Sequence, residues 1–306
     1  MNWTGVMPAM TTAFNPDLSI DFATVGRHAQ WLIENGCTGI ICLGSLGEAG
    51  TLSFNEKVDI LKTVIAALAG KAPVVGTISS LSTAEAVELA RAAHAAGCSG
   101  LMILPPYVYQ GDWRENKAHV GAILEATPLP GMLYNNPIAY GTDFLPEQIV
   151  ELAKEHPNLA AVKESSADVR RVSAIRALLA DRLAIFVGVD DAIVEGMAAG
   201  AAGWVAGLVN ALPRESVDLF NLAAAGKTRE AFELYRWFLP LLRMDTVPKF
   251  IQLIKQVQQE SGAGFARVRP PRLELVGEEL AATRAAFEFA QANRPACAVA
   301  STPFKG

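Results

Sequence analysis

Short apolar runs alternate with longer amphipathic segments along most of this chain. The apolar runs are bounded by Gly, Pro or Asn, and the segments between them have the period of helices that bury one face. This alternation is typical of repeated β–α units around a parallel sheet. Eight strands are predicted, at Val6–Thr11, Gly39–Leu43, Val74–Thr77, Gly100–Leu104, Gly131–Tyr134, Ala160–Lys163, Ala184–Gly188 and Gly203–Val205.

Helices are predicted near 21–35, 55–69, 83–96, 115–126, 146–156, 168–180, 190–199 and 213–226, several of them with a capping residue at the start: Asp21, Asn55, Ser82 and Asp168. Eight units favour a closed (β/α)8 TIM barrel over residues 1–226, because open doubly wound sheets usually have five or six strands.

The remaining residues, 227–306, are predicted to form a C-terminal helical extension. Three amphipathic segments, Glu230–Leu242, Thr246–Glu260 and Gly277–Ala292, surround an irregular stretch at 262–272. No low-complexity linker precedes them, so we expect these helices to pack on the barrel or on a neighbouring subunit.

Composition narrows the range of partners. The 306 residues include 51% hydrophobic positions, enough for a large core, although length alone allows one barrel or two domains. The net charge is −5 and no basic run could follow a phosphate backbone, so we expect no nucleic-acid partner. No apolar stretch reaches membrane-spanning length, which predicts a cytoplasmic protein without a membrane partner. The scattered cysteines are predicted to be small core residues in a reducing compartment: Cys37, Cys42, Cys98 and Cys297.

The chemistry of such a barrel lies at the carboxyl ends of its strands. Lys163 ends a strand there, and partial loss of hydration would lower the pKa of its amine and make it a nucleophile. The alternatives are a lysine that extends to solvent or pairs with Glu164. Tyr134 ends the preceding strand, close enough to act as acid–base for a group on Lys163, although a lone Tyr there is more often a core residue.

The loop Gly44–Glu48 offers backbone N–H groups and the Ser45 hydroxyl, which suit a carboxylate. It lacks the spacing and the lysine of a nucleotide-binding loop. The four histidines fall far apart on predicted helices and are expected to be surface or packing residues, so no metal site is predicted: His28, His94, His119 and His156.

Four motifs resemble those of the dihydrodipicolinate synthase / N-acetylneuraminate lyase family of class I aldolases, in the same order and spacing. They are Gly-Ser-Leu-Gly-Glu at 44–48, Tyr-Asn-Asn-Pro at 134–137, Val-Lys-Glu-Ser at 162–165 and Gly-Val-Asp-Asp at 188–191. The resemblance implies that Lys163 forms a Schiff base with C2 of the substrate, that Tyr134 relays protons, and that Ser45 with the Leu46 amide holds the C1 carboxylate. It also implies no cofactor and a homotetramer.

Departures from the family pattern bear on the substrate. The synthases of the family carry an Arg two residues after Tyr-x-x-Pro, which binds a second carboxylate, and this chain has Ala139 there. The Tyr that the family shares across a subunit interface aligns with Val108, for which Tyr107 or Tyr109 are the candidate substitutes. Further substrate-binding candidates are Leu46, Asn136, Tyr140, Gly188, Val205 and Gly207.

The segments 134–141, 203–207 and 268–272 look most like the branch that contains 1-pyrroline-4-hydroxy-2-carboxylate deaminases of hydroxyproline breakdown, which release ammonia and 2,5-dioxopentanoate. Alternatives are a 2-keto-3-deoxy sugar acid aldolase or dehydratase, a dihydrodipicolinate synthase-like enzyme, and a silent barrel that only binds a carboxylate. The late arginines are expected to anchor a loop, with an anion or partner site as the alternative: Arg267, Arg269 and Arg272.

Overall fold

Eight parallel strands and twelve α-helices make up the fold in the computed structural model, which describes residues 1–305. The strands are β1 (Gly5–Pro8), β2 (Ile40–Cys42), β3 (Val74–Ile78), β4 (Gly100–Ile103), β5 (Gly131–Asn135), β6 (Leu159–Glu164), β7 (Ala184–Val187) and β8 (Gly203–Ala206). The helices are α1 (Phe22–Glu34), α2 (Phe54–Leu68), α3 (Thr83–Ala96), α4 (Trp113–Glu125), α5 (Pro137–Tyr140), α6 (Pro146–Glu155), α7 (Arg170–Leu179), α8 (Ile193–Ala198), α9 (Pro213–Ala224), α10 (Thr228–Leu242), α11 (Phe250–Glu260) and α12 (Gly277–Ala292).

The sheet closes on itself. Its order is β1-β8-β7-β6-β5-β4-β3-β2, and every neighbouring pair is parallel. β1 and β2 meet through two backbone hydrogen bonds of 2.9 Å, from Thr38 N–H to the Val6 carbonyl and from Met10 N–H to the Ile41 carbonyl. The predicted (β/α)8 barrel is therefore confirmed.

Element boundaries differ from the predictions in a few places. Asp21 and Ser82 cap their helices as predicted, but Asn55 does not, because Ser53 caps α2 earlier in the chain. Asp168 lies one residue before the assigned N-cap of α7, and its carboxylate accepts hydrogen bonds from both the backbone N–H and the guanidinium of Arg170, at 3.1 and 2.7 Å. The helix predicted at 246–260 begins only at Phe250, as α11, because Thr246 ends a 3₁₀ turn, Arg243–Thr246, and Pro248 follows it.

The core has two parts. The larger lies between the sheet and the helices that surround it. The smaller fills the interior of the barrel, where Trp3 closes the amino end and packs edge-on against Phe186, with ring centroids 6.3 Å apart. Cys37, Cys42 and Cys98 are buried as predicted, whereas Cys297 is only half-buried.

The C-terminal helices pack onto the barrel. The Trp237 indole on α10 donates a hydrogen bond of 2.8 Å to the Ala290 carbonyl on α12. Lys255 on α11 reaches the barrel mouth, where its amine donates to the Thr12 carbonyl at 2.9 Å and to the Glu48 carboxylate at 2.8 Å. The extension therefore contributes groups to the end of the barrel where the candidate chemistry lies. Among residues 1–305, no helix combines the length and apolar character needed to cross a bilayer.

Candidate active site

Strands β5 and β6 bring Lys163 and Tyr134 together inside the barrel mouth. Side chains two residues apart on a strand point to the same face, so Met132 and Ala161, which line the barrel interior, set the direction of the next inward residues. Those residues are Tyr134 and Lys163, and the strand register places them side by side. The sequence prediction that the two side chains are neighbours is confirmed.

The Lys163 amine nitrogen lies 4.0 Å from the centroid of the Tyr134 ring. Each residue is only 6% exposed. Burial lowers the pKa of Lys163, although the charge of Asp245 opposes this, and the net direction is toward a neutral amine. The alternative of pairing with Glu164 is wrong, because that carboxylate accepts hydrogen bonds from Asn135 and from the backbone that follows it.

Gly188, at the end of β7, gives Lys163 its space. A Cβ atom at position 188 would lie 2.6 Å from Lys163 Cε and 2.7 Å from Cγ, and would collide with the Ser165 hydroxyl. Both distances are too short for real carbon contacts. Gly188 therefore borders the candidate nucleophile directly, and any side chain there would displace the lysine.

Three tyrosines form a cluster beside Lys163. The rings of Tyr134 and Tyr140 pack edge-on with centroids 5.7 Å apart, and Tyr107 lies 5.9 Å beyond Tyr140. Asn136 donates a hydrogen bond of 3.1 Å to the Tyr134 hydroxyl, and the Ser45 and Tyr140 hydroxyls are hydrogen-bonded to each other. Burial raises the pKa of Tyr134, so its phenol is protonated at neutral pH. The structure thus joins Ser45 to the tyrosines, a link that the sequence did not predict.

The loop Gly44–Glu48 is fixed by its last residue. Glu48 is fully buried in a left-handed conformation, with φ 57°, and one carboxylate oxygen pairs with Lys255 at 2.8 Å. Its other oxygen accepts a 3.0 Å hydrogen bond from the Arg269 backbone. Leu46 packs its side chain into the barrel interior. The loop is therefore held rigid from the C-terminal extension, with Ser45 toward the tyrosine cluster.

The other candidate positions separate into lining and peripheral residues. Val205 is buried inside the barrel on β8. Ala139 is exposed on α5, and its N–H donates to the Asn136 side chain at 3.0 Å. Val108 and Tyr109 are exposed, and the Tyr109 hydroxyl binds Glu115. Of the candidates around the position of the family's shared tyrosine, only Tyr107 lies in this chain's own cluster.

Two acidic residues near Lys163 were not assigned a role from the sequence. Asp190, within the fourth motif, is fully buried and accepts hydrogen bonds from the Trp204 indole and from the backbone at Gly207 and Leu208, at 2.8–3.1 Å. Burial raises the pKa of Asp190 to about 6. Asp245, in the 3₁₀ turn Arg243–Thr246, lies against the end of β8, and nothing local in the sequence indicates this.

The late arginines make structural contacts. Arg267 donates to the Phe14 carbonyl at 3.1 Å, Arg269 binds Glu56 through both ends of its guanidinium at 3.0 and 2.7 Å, and Arg272 lies 4.0 Å from Glu48. These contacts fit the loop anchor better than an anion site, because two of the three guanidinium groups already face a carboxylate.

The histidines are mostly packing residues rather than surface residues. His28, His119 and His156 are buried, and a ring nitrogen of His28 lies 2.9 Å from the Asn210 carbonyl oxygen. Within residues 1–305, no group of three or more His, Cys, Asp or Glu side chains is arranged to hold a metal ion.

Comparisons with known proteins agree with this geometry. Residues 2–289 match the model of the dihydrodipicolinate synthetase family. The chain is 30% identical over 275 residues to the 4-hydroxy-tetrahydrodipicolinate synthase of Desulforamulus reducens, a match that covers 90% of this chain and 93% of that protein. It is 34% identical over 231 residues to the enzyme of the same name from Geobacter metallireducens, covering 76% and 79% of the two chains.

Solved structures of similar fold belong to proteins with related names. The 4-hydroxy-tetrahydrodipicolinate synthase from Methylacidiphilum fumariolicum SolV superposes with a TM-score of 0.91 at 26% identity, covering 97% of this chain and 100% of that one. The dihydrodipicolinate synthase from Acinetobacter baumannii complexed with pyruvate gives a TM-score of 0.89 at 28% identity, covering 95% and 99%. This chain belongs to the dihydrodipicolinate synthetase family and is a lyase of that family.

Proposed function

We propose that this lyase forms a Schiff base through Lys163 with a small 2-oxo acid or a cyclic imino acid. The observation that carries the proposal is the position of the Lys163 amine, buried and 4.0 Å from the centroid of the Tyr134 ring. A buried amine that forms no salt bridge costs stability, and a protein that only binds a carboxylate gains nothing from it. The loss of stability is explained if the neutral amine acts as a nucleophile toward an electrophilic carbon.

The neighbouring groups have distinct parts in this chemistry. The Tyr134 phenol transfers a proton to the leaving oxygen or nitrogen when the Schiff base forms, and takes a proton back from C3 of the adduct. The Ser45 hydroxyl and the Leu46 backbone amide bind the C1 carboxylate, which directs C2 toward Lys163. The protonated imine then accepts electrons at C2, and no metal or organic cofactor is needed.

The substrate that we propose is 1-pyrroline-4-hydroxy-2-carboxylate. Ala139 stands where family synthases carry the arginine for a second carboxylate, which favours a substrate with one carboxylate. Lys163 adds to the ring C=N carbon and the ring opens, the 4-hydroxyl leaves as water, and hydrolysis of the remaining imines releases ammonia and 2,5-dioxopentanoate. One water is consumed overall.

Three enzymatic alternatives predict different products. A 2-keto-3-deoxy sugar acid aldolase would release pyruvate, a sugar-acid dehydratase would release neither pyruvate nor ammonia, and a synthase like the named relatives would consume pyruvate with aspartate semialdehyde. The test is a panel of these substrates with 1-pyrroline-4-hydroxy-2-carboxylate, with ammonia and pyruvate measured in parallel. We expect ammonia only from the hydroxypyrroline substrate. Pyruvate release without ammonia release would reject the deaminase assignment.

We also propose that the chain acts in the cytoplasm as a homotetramer. In support, the loop after β4 leaves Val108 and Tyr109 exposed, at 73% and 57%, beside the tyrosine cluster. Exposed apolar and aromatic side chains that border a site suit burial against another subunit. Light scattering during size-exclusion chromatography tests this, and a monomer at micromolar concentration would contradict it.

A further inference from the structure

The carboxyl group of Asp245 lies at the mouth of the barrel although the residue belongs to the C-terminal extension. A Cβ atom at Gly207, directly after β8, would clash with this carboxyl, whose Cγ lies 3.1 Å from that position, and would lie 2.9 Å from Ile254 Cδ1. The glycine therefore leaves the space that Asp245 occupies. The side chain packs over the end of β8, with α11 behind it.

No Lys, Arg or His side chain in residues 1–305 forms an ion pair with Asp245. Arg243, in the same 3₁₀ turn, points to Asp191 instead, with 3.5 Å between Nε and Oδ2. A carboxyl group held near a catalytic site without a salt-bridge partner is free to exchange a proton with a bound molecule.

Three charged groups act on Asp245 from the elements packed against it: Asp190, Asp191 and Lys163. Burial raises the pKa of Asp245 well above its usual value, and the charges of Asp190 and Asp191 add to this, whereas the charge of Lys163 lowers it. Asp245 in turn raises the pKa of both Lys163 and Tyr134. Burial therefore favours the protonated form of this carboxyl group, which interacts with the other two candidate catalytic groups.

We infer that Asp245 is a further acid of this site, which protonates the hydroxyl that leaves from C4 of the substrate. The inference rests on the proposed function, because it concerns a substrate held on Lys163. It adds a group that none of the four sequence motifs contains.

The step balances as an elimination. The Tyr134 phenolate, formed when the phenol gave up its proton in Schiff-base formation, removes a proton from C3. The C3–H electron pair forms the C2–C3 double bond and the imine nitrogen takes the C2–N pair. In the next step the nitrogen pair forms the C2–N double bond again, and the C2–C3 pair moves to form a C3–C4 double bond. The C4–O bond breaks as its oxygen takes the proton of Asp245. Water leaves, and a solvent proton restores the Asp245 carboxyl.

The protonation state of Asp245 distinguishes elimination from cleavage. Loss of a hydroxyl needs an acid near the C4 oxygen, whereas aldol cleavage needs a base to take the proton of that same hydroxyl. A protonated carboxyl group can act as the acid for hydroxyl loss but not as the base for aldol cleavage. Asp245 therefore favours release of water from C4 over cleavage of the C3–C4 bond.

The test compares Asp245→Asn with wild type and with Asp218→Asn, a matched change in a partly buried carboxylate on α9 that pairs with Arg214 at 3.2 Å. We expect Asp245→Asn to slow ammonia release from 1-pyrroline-4-hydroxy-2-carboxylate on the order of 100-fold, with pyruvate still trapped on Lys163 by borohydride to within roughly threefold of wild type. The substrate adduct trapped on the variant should be heavier by one water than the adduct that wild type carries after elimination. The pH–rate profile of the variant should change from that of wild type, because one titrating acid of the site is lost.

Several outcomes would overturn the inference. One is ammonia release by Asp245→Asn at close to the wild-type rate, and another is parallel loss of pyruvate trapping, which would make Asp245 a positioning residue for Lys163. Failure of the proposed function looks different. If wild type dehydrates a deoxy sugar acid but releases no ammonia, the deaminase assignment fails. The role of Asp245 is then tested by the rate at which Asp245→Asn dehydrates that sugar acid. If wild type only cleaves its substrate to pyruvate, the deaminase assignment and the acid role of Asp245 both fail.

Discussion

Lys163 lies with its amine 4.0 Å from the centroid of the Tyr134 ring, and both side chains are almost fully buried at the carboxyl end of the barrel. The aromatic face offers weak attraction to an ammonium but no proton acceptor, and burial removes water. The amine is thus near enough to the phenol for both to contact one substrate carbon and its leaving group.

Removal of the Tyr134 hydroxyl should separate packing from chemistry. Tyr134→Phe keeps the ring beside Lys163, so the fold and the position of the amine should persist, while turnover should fall about 10²- to 10⁴-fold because proton relay is lost. Steady-state kinetics on the active substrate measures this. Thr63→Val, which removes a hydroxyl that donates to the Asp59 carbonyl on α2, away from the barrel mouth, should leave turnover unchanged. Similar rates for Tyr134→Phe and wild type would remove Tyr134 from the mechanism.

The space at Gly188 should be a requirement for Schiff-base formation. Gly188→Ala places a methyl group 2.6 Å from Lys163 Cε, so the lysine must move, and adduct formation with pyruvate should slow by about 10-fold or more. Mass spectrometry after borohydride reduction follows the adduct. Gly50→Ala, at a position where a Cβ meets no atom within 4 Å, is the control and should react like wild type.

The outcome for Gly188→Ala depends on an intact fold. Circular dichroism and urea unfolding should show a folded variant, since the collision is with the movable end of Lys163 and with the Ser165 hydroxyl rather than with backbone. A folded Gly188→Ala that traps pyruvate at the wild-type rate would show that Lys163 does not need the position seen in this structure.

The buried pair of Glu48 and Lys255 should dominate the stability of the barrel mouth. Loss of one charge from a buried pair typically costs about 3–5 kcal/mol, because the partner remains buried and uncompensated. Glu48→Gln should therefore lower the free energy of unfolding by an amount of that order, and addition of Lys255→Met should recover part of it. Urea unfolding of the four members of this cycle measures both effects. A double variant less stable than Glu48→Gln alone would contradict this account.

Acid sensitivity should arise in part from Glu56. The hydrogen bonds from Arg269 lower the pKa of Glu56 from 4.5 to about 2. A carboxylate with a lowered folded-state pKa stabilises the fold above its unfolded pKa, and this contribution is lost as pH falls toward the folded value. Between pH 4.5 and 2, Glu56→Gln should lose less stability than wild type, by about 1 kcal/mol at most because the pair is partly solvated. Asp59→Asn, which alters an exposed pair with Lys62, should follow wild type.

Much of the fold could be predicted because local patterns determine it. Period-two alternation set the inward direction of Tyr134 and Lys163, and the carboxyl-end rule located their edge of the barrel. Boundaries were less certain: Asn55 resembles a cap, but Ser53 and Glu56 form a reciprocal capping box that starts the helix earlier. The Ser-x-x-Glu spacing of that capping box is present in the sequence at 53–56, so this boundary could have been predicted from a local pattern.

The parts of the site that escaped prediction depend on contacts between distant segments. The hydrogen bond between Ser45 and Tyr140 joins a loop to α5, across 95 residues of sequence. Asp245 reaches the mouth because the chain turns back at Pro248 and because Gly207 leaves room, and neither feature indicates an acidic partner by itself. Asp190 appeared in a recognised motif, but its role depends on amides of the next strand end.

The most direct test of the central claim is borohydride reduction of wild type with pyruvate and with 1-pyrroline-4-hydroxy-2-carboxylate, followed by peptide mass spectrometry. Lys163→Arg, which retains the charge but cannot form the imine, serves as the control. We expect one reduced adduct in wild type, confined to the peptide that contains Lys163, and none in Lys163→Arg. Absence of the adduct from Lys163, or its presence on another lysine, would contradict the account.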